Sequence, residues 1–93
     1  MQVLGKQNYS KHVLVCVNER TEGDCCKSVQ GQEVYSKIKQ WVKENGRSDI
    51  WVTRTRCLGF CNPIGTTVVI YPEQIWFSEV RLEETGKIIE LIK

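Results

Sequence analysis

One stretch limits what this chain can be: Arg56-Cys57-Leu58-Gly59-Phe60-Cys61, running through Asn62-Pro63-Ile64-Gly65 into the apolar run Val68-Val69-Ile70-Tyr71-Pro72. Two cysteines separated by three residues sit in a short loop that enters a buried strand. That spacing lets two thiolates converge on one metal ion, and Gly59 supplies the backbone freedom a tight ligand loop needs. The same spacing also suits zinc or a disulfide, so the weight of the motif comes from three further cysteines upstream, Cys16, Cys25 and Cys26.

Five cysteines in 93 residues is a high count, and the number is odd. The opening Met-Gln-Val-Leu-Gly-Lys-Gln-Asn has neither a hydrophobic signal region nor a small-residue cleavage site, so a cytoplasmic protein with reduced thiols is expected. Cysteines gathered in two clusters then point to metal, iron–sulfur or redox chemistry, against the plainer alternative that several are small buried hydrophobes. Net charge is +2 with no block of Lys and Arg, which argues against nucleic-acid binding. No apolar run approaches the length of a membrane span.

The periodicities divide the chain into a flexible N-terminal segment, residues 1–10, and one domain, residues 11–93. Residues 11–17 are nearly continuously apolar and β-branched and predict a central strand covered on both sides. His12, at its start, reads as a structural histidine first, with metal ligation as the lesser alternative. A polar, turn-rich loop follows and delivers Cys25-Cys26. Val34, Ile38, Trp41 and Val42 then recur at helical spacing, which predicts a helix from about Gly31 to Asn45 with its stop at Asn45-Gly46.

Residues 49–56 alternate as a strand, and 67–71 with 75–78 form a hairpin about Pro72-Glu73-Gln74. Leu82, Ile88, Ile89 and Ile92 mark a terminal helix over 82–93, weakened near its start by Gly86. The order β-α-β-β-β-α predicts an α/β, thioredoxin-like fold: a small mixed four-stranded sheet with two helices.

A strand–helix–strand crossover makes the first two strands parallel. Cys16 ends the first strand, Cys25-Cys26 lie in the loop leaving it, and Cys57 and Cys61 lie just past the end of the second. Both loops therefore emerge at one end of the sheet, where α/β proteins commonly build their sites. Cys16, one of Cys25 and Cys26, Cys57 and Cys61 supply four thiolates there. Such a set suits structural zinc or an iron–sulfur cluster, and two cysteine pairs suit a binuclear centre. Arg54 and Arg56 enter the same loop, either offsetting the negative charge of such a centre or standing as solvated strand residues.

With those residues in place, the sequence resembles the thioredoxin-like [2Fe–2S] ferredoxins. The resemblance is carried by His-Val-Leu-Val-Cys-Val-Asn-Glu-Arg at 12–20, the cysteine before the helix, Arg-Cys-Leu-Gly-Phe-Cys at 56–61, Val-Val-Ile-Tyr-Pro-Glu at 68–73 and Ile-Trp-Phe at 75–77. It implies an electron-transfer protein, not an enzyme, carrying one electron on a [2Fe–2S] cluster. One iron would sit on Cys16 and a cysteine of the first loop, the other on Cys57 and Cys61. Counting back from Glu33-Val34-Tyr35 puts Cys26 at the first-loop position, with Cys25 as the alternative.

The resemblance further implies weakly docking redox partners, a reductase and an acceptor, and pairing of such proteins as homodimers. Where that family tends to have Gly-Pro before the Val-Val-Ile run, this chain has Gly65-Thr66, with Pro63 and one additional residue after Cys61. Two other classes compete: a thiol–disulfide redox protein on the same fold, and a zinc-binding interaction module.

Overall fold

The computed structural model describes residues 1–6, 8–17, 30–56, 58 and 65–93. Its elements are β1 (Lys11–Cys16), α1 (Gly31–Glu44), β2 (Ile50–Thr55), β3 (Thr66–Tyr71), β4 (Ile75–Val80), a turn of 3-10 helix (Leu82–Glu84) and α2 (Thr85–Ile92). The sheet order is β2-β1-β3-β4. β1 pairs with β2 in parallel and with β3 antiparallel, and β3 pairs antiparallel with β4. The succession of elements, the parallel β1–β2 pair and the antiparallel β3–β4 hairpin are those the sequence predicts, and the structure adds the antiparallel β1–β3 pairing that joins them.

Alternation along the strands decides the core. Val13, Val15, Ile50, Val52, Val68 and Ile70 point to one face and join Val34, Ile38 and Val42 of α1 and Ile88 and Ile92 of α2 in a single buried cluster. Both helices therefore pack on the same face of the sheet. The opposite face of β1 is covered in a graded way. His12 and Leu14 are half-buried and Cys16 is fully buried, so the predicted two-sided cover is complete only at the cysteine end of the strand.

α1 follows its sequence closely. Gly31, Val34, Ile38 and Val42 form the buried stripe, while Trp41 packs at its border, half-buried. The helix ends in a Schellman motif. Gly46 takes φ 59°, its amide donates to the Lys43 carbonyl (3.2 Å), and the Arg47 amide donates to the Val42 carbonyl (3.1 Å). The chain then turns at Asp49, whose carbonyl accepts the Ser10 amide (2.7 Å) and so aligns the starts of β1 and β2.

Two elements differ from their predicted form. β4 extends to Val80 instead of stopping at Ser78, because a register shift lets the strand absorb Glu79 in a left-handed conformation (φ 58°) and return Val80 to the core. The terminal helix begins as 3-10 at Leu82–Glu84 and becomes α-helical at Thr85. The buried Thr85 hydroxyl donates to the Leu82 carbonyl (2.8 Å), and the Arg81 amide donates to the Glu84 carboxylate (3.3 Å), so the entry is fixed by caps more than by propensity. Among the described residues no helix is long and apolar enough to cross a membrane.

Candidate functional site

The C-terminal end of β1 is where the described chain and the cysteine motifs meet. Cys16 is the last residue of the strand and is 0% exposed. It pairs with Thr55, the last residue of β2, and the ladder runs one step further through the Val17 amide to the Thr55 carbonyl (3.0 Å). From the other side, the buried Thr66 hydroxyl donates to the Cys16 carbonyl at 2.6 Å. That short bond ties the first residue of β3 to the last of β1 across the sheet.

Gly65 completes this end. A Cβ built there would lie 2.4 Å from the Glu79 carbonyl carbon and 2.6 Å from the Val80 amide nitrogen. Backbone on backbone leaves no room for any side chain, so glycine is required by close approach and not by its dihedral angles. The start of α1 belongs to the same end: Tyr35, in its second turn, lies under the Arg54 guanidinium, 5.2 Å from the ring centroid, near the end of β2. Residues 17, 30, 56 and 65 therefore all lie at one end of the fold.

Of the predicted ligands, Cys16 stands at this end as predicted, while Cys25, Cys26, Cys57 and Cys61 lie outside the described residues. Among the described residues, no three His, Cys, Asp or Glu side chains are gathered closely enough to hold a metal ion. Any metal centre must therefore draw on the cysteine-bearing segments that begin and end beside Cys16. The donor chemistry fits an iron–sulfur group: the sequence offers thiolates in two clusters, and the one described cysteine, Cys16, is shielded from water. Arg54 is exposed and stacked on Tyr35, and Arg56 is exposed.

His12 lies at the other end of β1, about 13 Å from Cys16 at the rise of a strand. Its Nε2 is 2.8 Å from the Thr53 hydroxyl, and its ring meets the edges of Tyr9 (5.5 Å) and Trp51 (5.9 Å). Burial among them lowers its pKa from the ordinary value. These contacts give it a packing role, as its place in the sequence predicts. Thr66 and Gly65 carry more of the site than the sequence reading gave them. The signal available was a pair of adjacent hydroxyls, Thr66-Thr67, opening an otherwise apolar strand.

No protein-family model matches the chain. Among curated proteins it is 29% identical over 85 residues to a 2Fe-2S ferredoxin of Aquifex aeolicus, covering 86% of this chain and 76% of that one. It is 28% identical over 87 residues to a 2Fe-2S ferredoxin of Clostridium pasteurianum, covering 89% and 84%. Among solved structures, the wild-type thioredoxin-like [2Fe-2S] ferredoxin from Aquifex aeolicus superposes with a TM-score of 0.78 at 28% identity, over 90% of this chain and 84% of that one. Sequence likeness and fold likeness extend over the same nine-tenths of the molecule and name the same group of proteins. In sequence and in fold alike, the chain is similar to the thioredoxin-like [2Fe–2S] ferredoxins.

Proposed function

We propose that this protein is a one-electron carrier holding a [2Fe–2S] cluster on Cys16, Cys26, Cys57 and Cys61, with Cys25 as the alternative to Cys26. The observation that carries the reading is the position of Cys16. It is buried at the sheet end where both cysteine-bearing segments leave and rejoin the described chain. Cys57 directly follows Arg56, Cys61 precedes Gly65 by four residues, and Cys26 precedes Gln30 by four. At about 3.3–3.6 Å per residue, each is tethered within roughly 15 Å of that end.

When bound, the cluster takes up and releases a single electron. The chain's own residues hold and insulate it. The β1–β2 ladder and the Thr66 bond fix the backbone of Cys16 from two sides, so its thiolate is presented without rearrangement. Complete burial keeps water from that ligand. Arg54 and Arg56, at the exit of β2, add positive charge near the four thiolates. The same burial disfavours Cys16 as an attacking thiol, since thiol–disulfide exchange needs an accessible thiolate.

On this reading residues 11–93 form the cluster-bearing domain and 1–10 a flexible N-terminal segment whose last residue hydrogen-bonds to Asp49. The protein carries electrons between a reductase and an acceptor in the cytoplasm, without substrate chemistry of its own, docking weakly on each. Pairing as a homodimer is part of the same proposal, and sedimentation at micromolar concentration tests it.

The ligand set is tested by purifying Cys→Ser variants anaerobically and assaying iron and acid-labile sulfide. Cys16→Ser, Cys57→Ser and Cys61→Ser should each lose the cluster or change its visible spectrum. Of Cys25→Ser and Cys26→Ser, the second should be the damaging one. Stoichiometric zinc with no labile sulfide in the wild type would instead select the interaction module.

A further inference from the structure

Several basic side chains of the described chain stand in ion pairs: Lys11 with Glu73, Arg47 with Asp49, Arg81 and Lys87 with Glu84, and Lys93 with Glu90. Lys39, Lys43 and Arg54 have no ion-pair partner among the described residues. All three lie along one seam, between α1 and β2, which is an edge strand of the sheet. Tyr35, Lys39 and Lys43 stand four residues apart and so climb one flank of the helix. That flank faces β2. The Arg54 guanidinium lies 5.2 Å from the Tyr35 ring centroid, and Lys39 and Lys43 line a hollow of about 370 Å³ together with Ile50 and Trp51. Glu33 and Glu44, the acidic residues of α1, fall on the other flank.

The seam has two ends, Tyr35 with Arg54 and Lys43 with Ile50. Between them lie about 13 Å of strand and about 12 Å of helix, so the cations follow one another at roughly 6 Å. Arg47 also lines the hollow, but it is paired with Asp49, whose carboxylate is bonded to the Ser10 hydroxyl as well. Like charges four residues apart on a helix cost stability. The Lys39–Lys43 pair is therefore unfavourable in the isolated chain and becomes favourable against a row of anions. Arg54, held over an aromatic ring, loses less freedom on binding than a solvated side chain would.

We propose that the α1–β2 seam is the docking surface for an acidic redox partner, which lays a helix with carboxylates four residues apart against Lys43, Lys39 and Arg54. The proposal deepens the reading of the protein as an electron carrier and rests on it. Carboxylates at i and i+4 of a helix recur at about 6 Å, the spacing of these cations. Val42, Ile50 and the exposed Trp51 give the hollow an apolar wall beside its charged rim, the mixture that protein interfaces use. Arg54 directly precedes Thr55, the partner of Cys16 across the ladder, so a protein lying on the seam reaches the end of the fold proposed to carry the cluster. A net charge of +2 and a seam this short suit a carboxylate face better than a polyphosphate backbone.

The test follows amide shifts by nuclear magnetic resonance as the isotope-labelled, cluster-bearing protein is titrated with a synthetic helical peptide carrying Glu at every fourth position. The shifts should map to Lys39, Lys43 and Trp51 and disappear at high salt. The double variant Lys39→Gln, Lys43→Gln should bind about 2–30-fold more weakly, the loss of two exposed ion pairs. Without peptide, its urea midpoint should rise, because a like-charge pair has gone. Lys87→Gln, Lys93→Gln changes the net charge equally but removes lysines that are already paired, and should bind as the wild type does. Shifts centred on α2, an equal loss in the two double variants, or tighter binding of a DNA duplex than of the peptide overturns the inference. Visible absorption of the same samples reads the cluster separately. A cluster-bearing protein with no shifts overturns the docking surface alone. A protein that binds the peptide on the seam but takes up no cluster after reconstitution overturns the electron-carrier reading, and the partner's redox role with it.

Discussion

Thr66 holds two structural commitments at once, a side chain wholly inside the sheet and a hydroxyl on the Cys16 carbonyl. Replacing it with valine keeps the shape and deletes the donor, leaving a buried carbonyl to find another partner. Thr66→Val should cost about 1–3 kcal/mol, the usual penalty for one unsatisfied buried group, seen as a lower urea midpoint at unchanged slope. Gly65→Ala acts by sterics: its methyl would meet the Glu79 and Val80 backbone at 2.4–2.6 Å. Relief requires β3 and β4 to part, so a loss of about 1–3 kcal/mol is expected, as for other overpacked sites.

Asp49 gives a residue-scale prediction in pH. A bidentate pair from Arg47 (3.0 and 3.1 Å) and a hydrogen bond from the Ser10 hydroxyl hold its carboxyl well below the usual carboxylate range. A depressed folded-state pKa contributes stability that is fully present above the ordinary value of 3.8 and is lost as pH falls through the folded value. Thermal midpoints of the wild type and Asp49→Asn should therefore differ at neutral pH and converge only in strong acid. Equal midpoints at pH 7 would contradict the account.

Among the elements, α1 was the most legible. Val34, Ile38 and Val42 repeat every four residues, and Asn45-Gly46 has the composition of a helix stop. Periodicity and cap agree, so nothing non-local is needed to find it. Ile38 is 0% exposed at the centre of the stripe, and Ile38→Ala should destabilise by about 2–5 kcal/mol. β4 was less legible. Ser78-Glu79 looks like the end of a strand because a bulge puts polar residues where alternation expects apolar ones, and the bulge is set by Gly65 approaching from another element. The first turn of the terminal helix was obscured for a similar reason, its geometry depending on the Arg81–Glu84 and Thr85–Leu82 bonds.

At the scale of the whole molecule, the site was legible as a place before it was legible as a geometry. The parallel β1–β2 pair and the antiparallel β3–β4 hairpin followed from β-α-β-β-β-α, and parallel β1 and β2 bring the flanks of both cysteine-bearing segments to one end. The pairing of Cys16 with Thr55 and the Thr66 bond to its carbonyl were not legible, because they depend on register between strands far apart in sequence. A slip of one residue would turn each of these side chains to the other face. The central claim, that this end of the fold carries a cluster, has a direct test in the visible absorption and electron paramagnetic resonance of anaerobically purified protein before and after dithionite. The account predicts red-brown bands that bleach on reduction and a one-electron paramagnetic signal that appears with the bleaching. A colourless, silent protein, even after reconstitution with iron and sulfide, would contradict it.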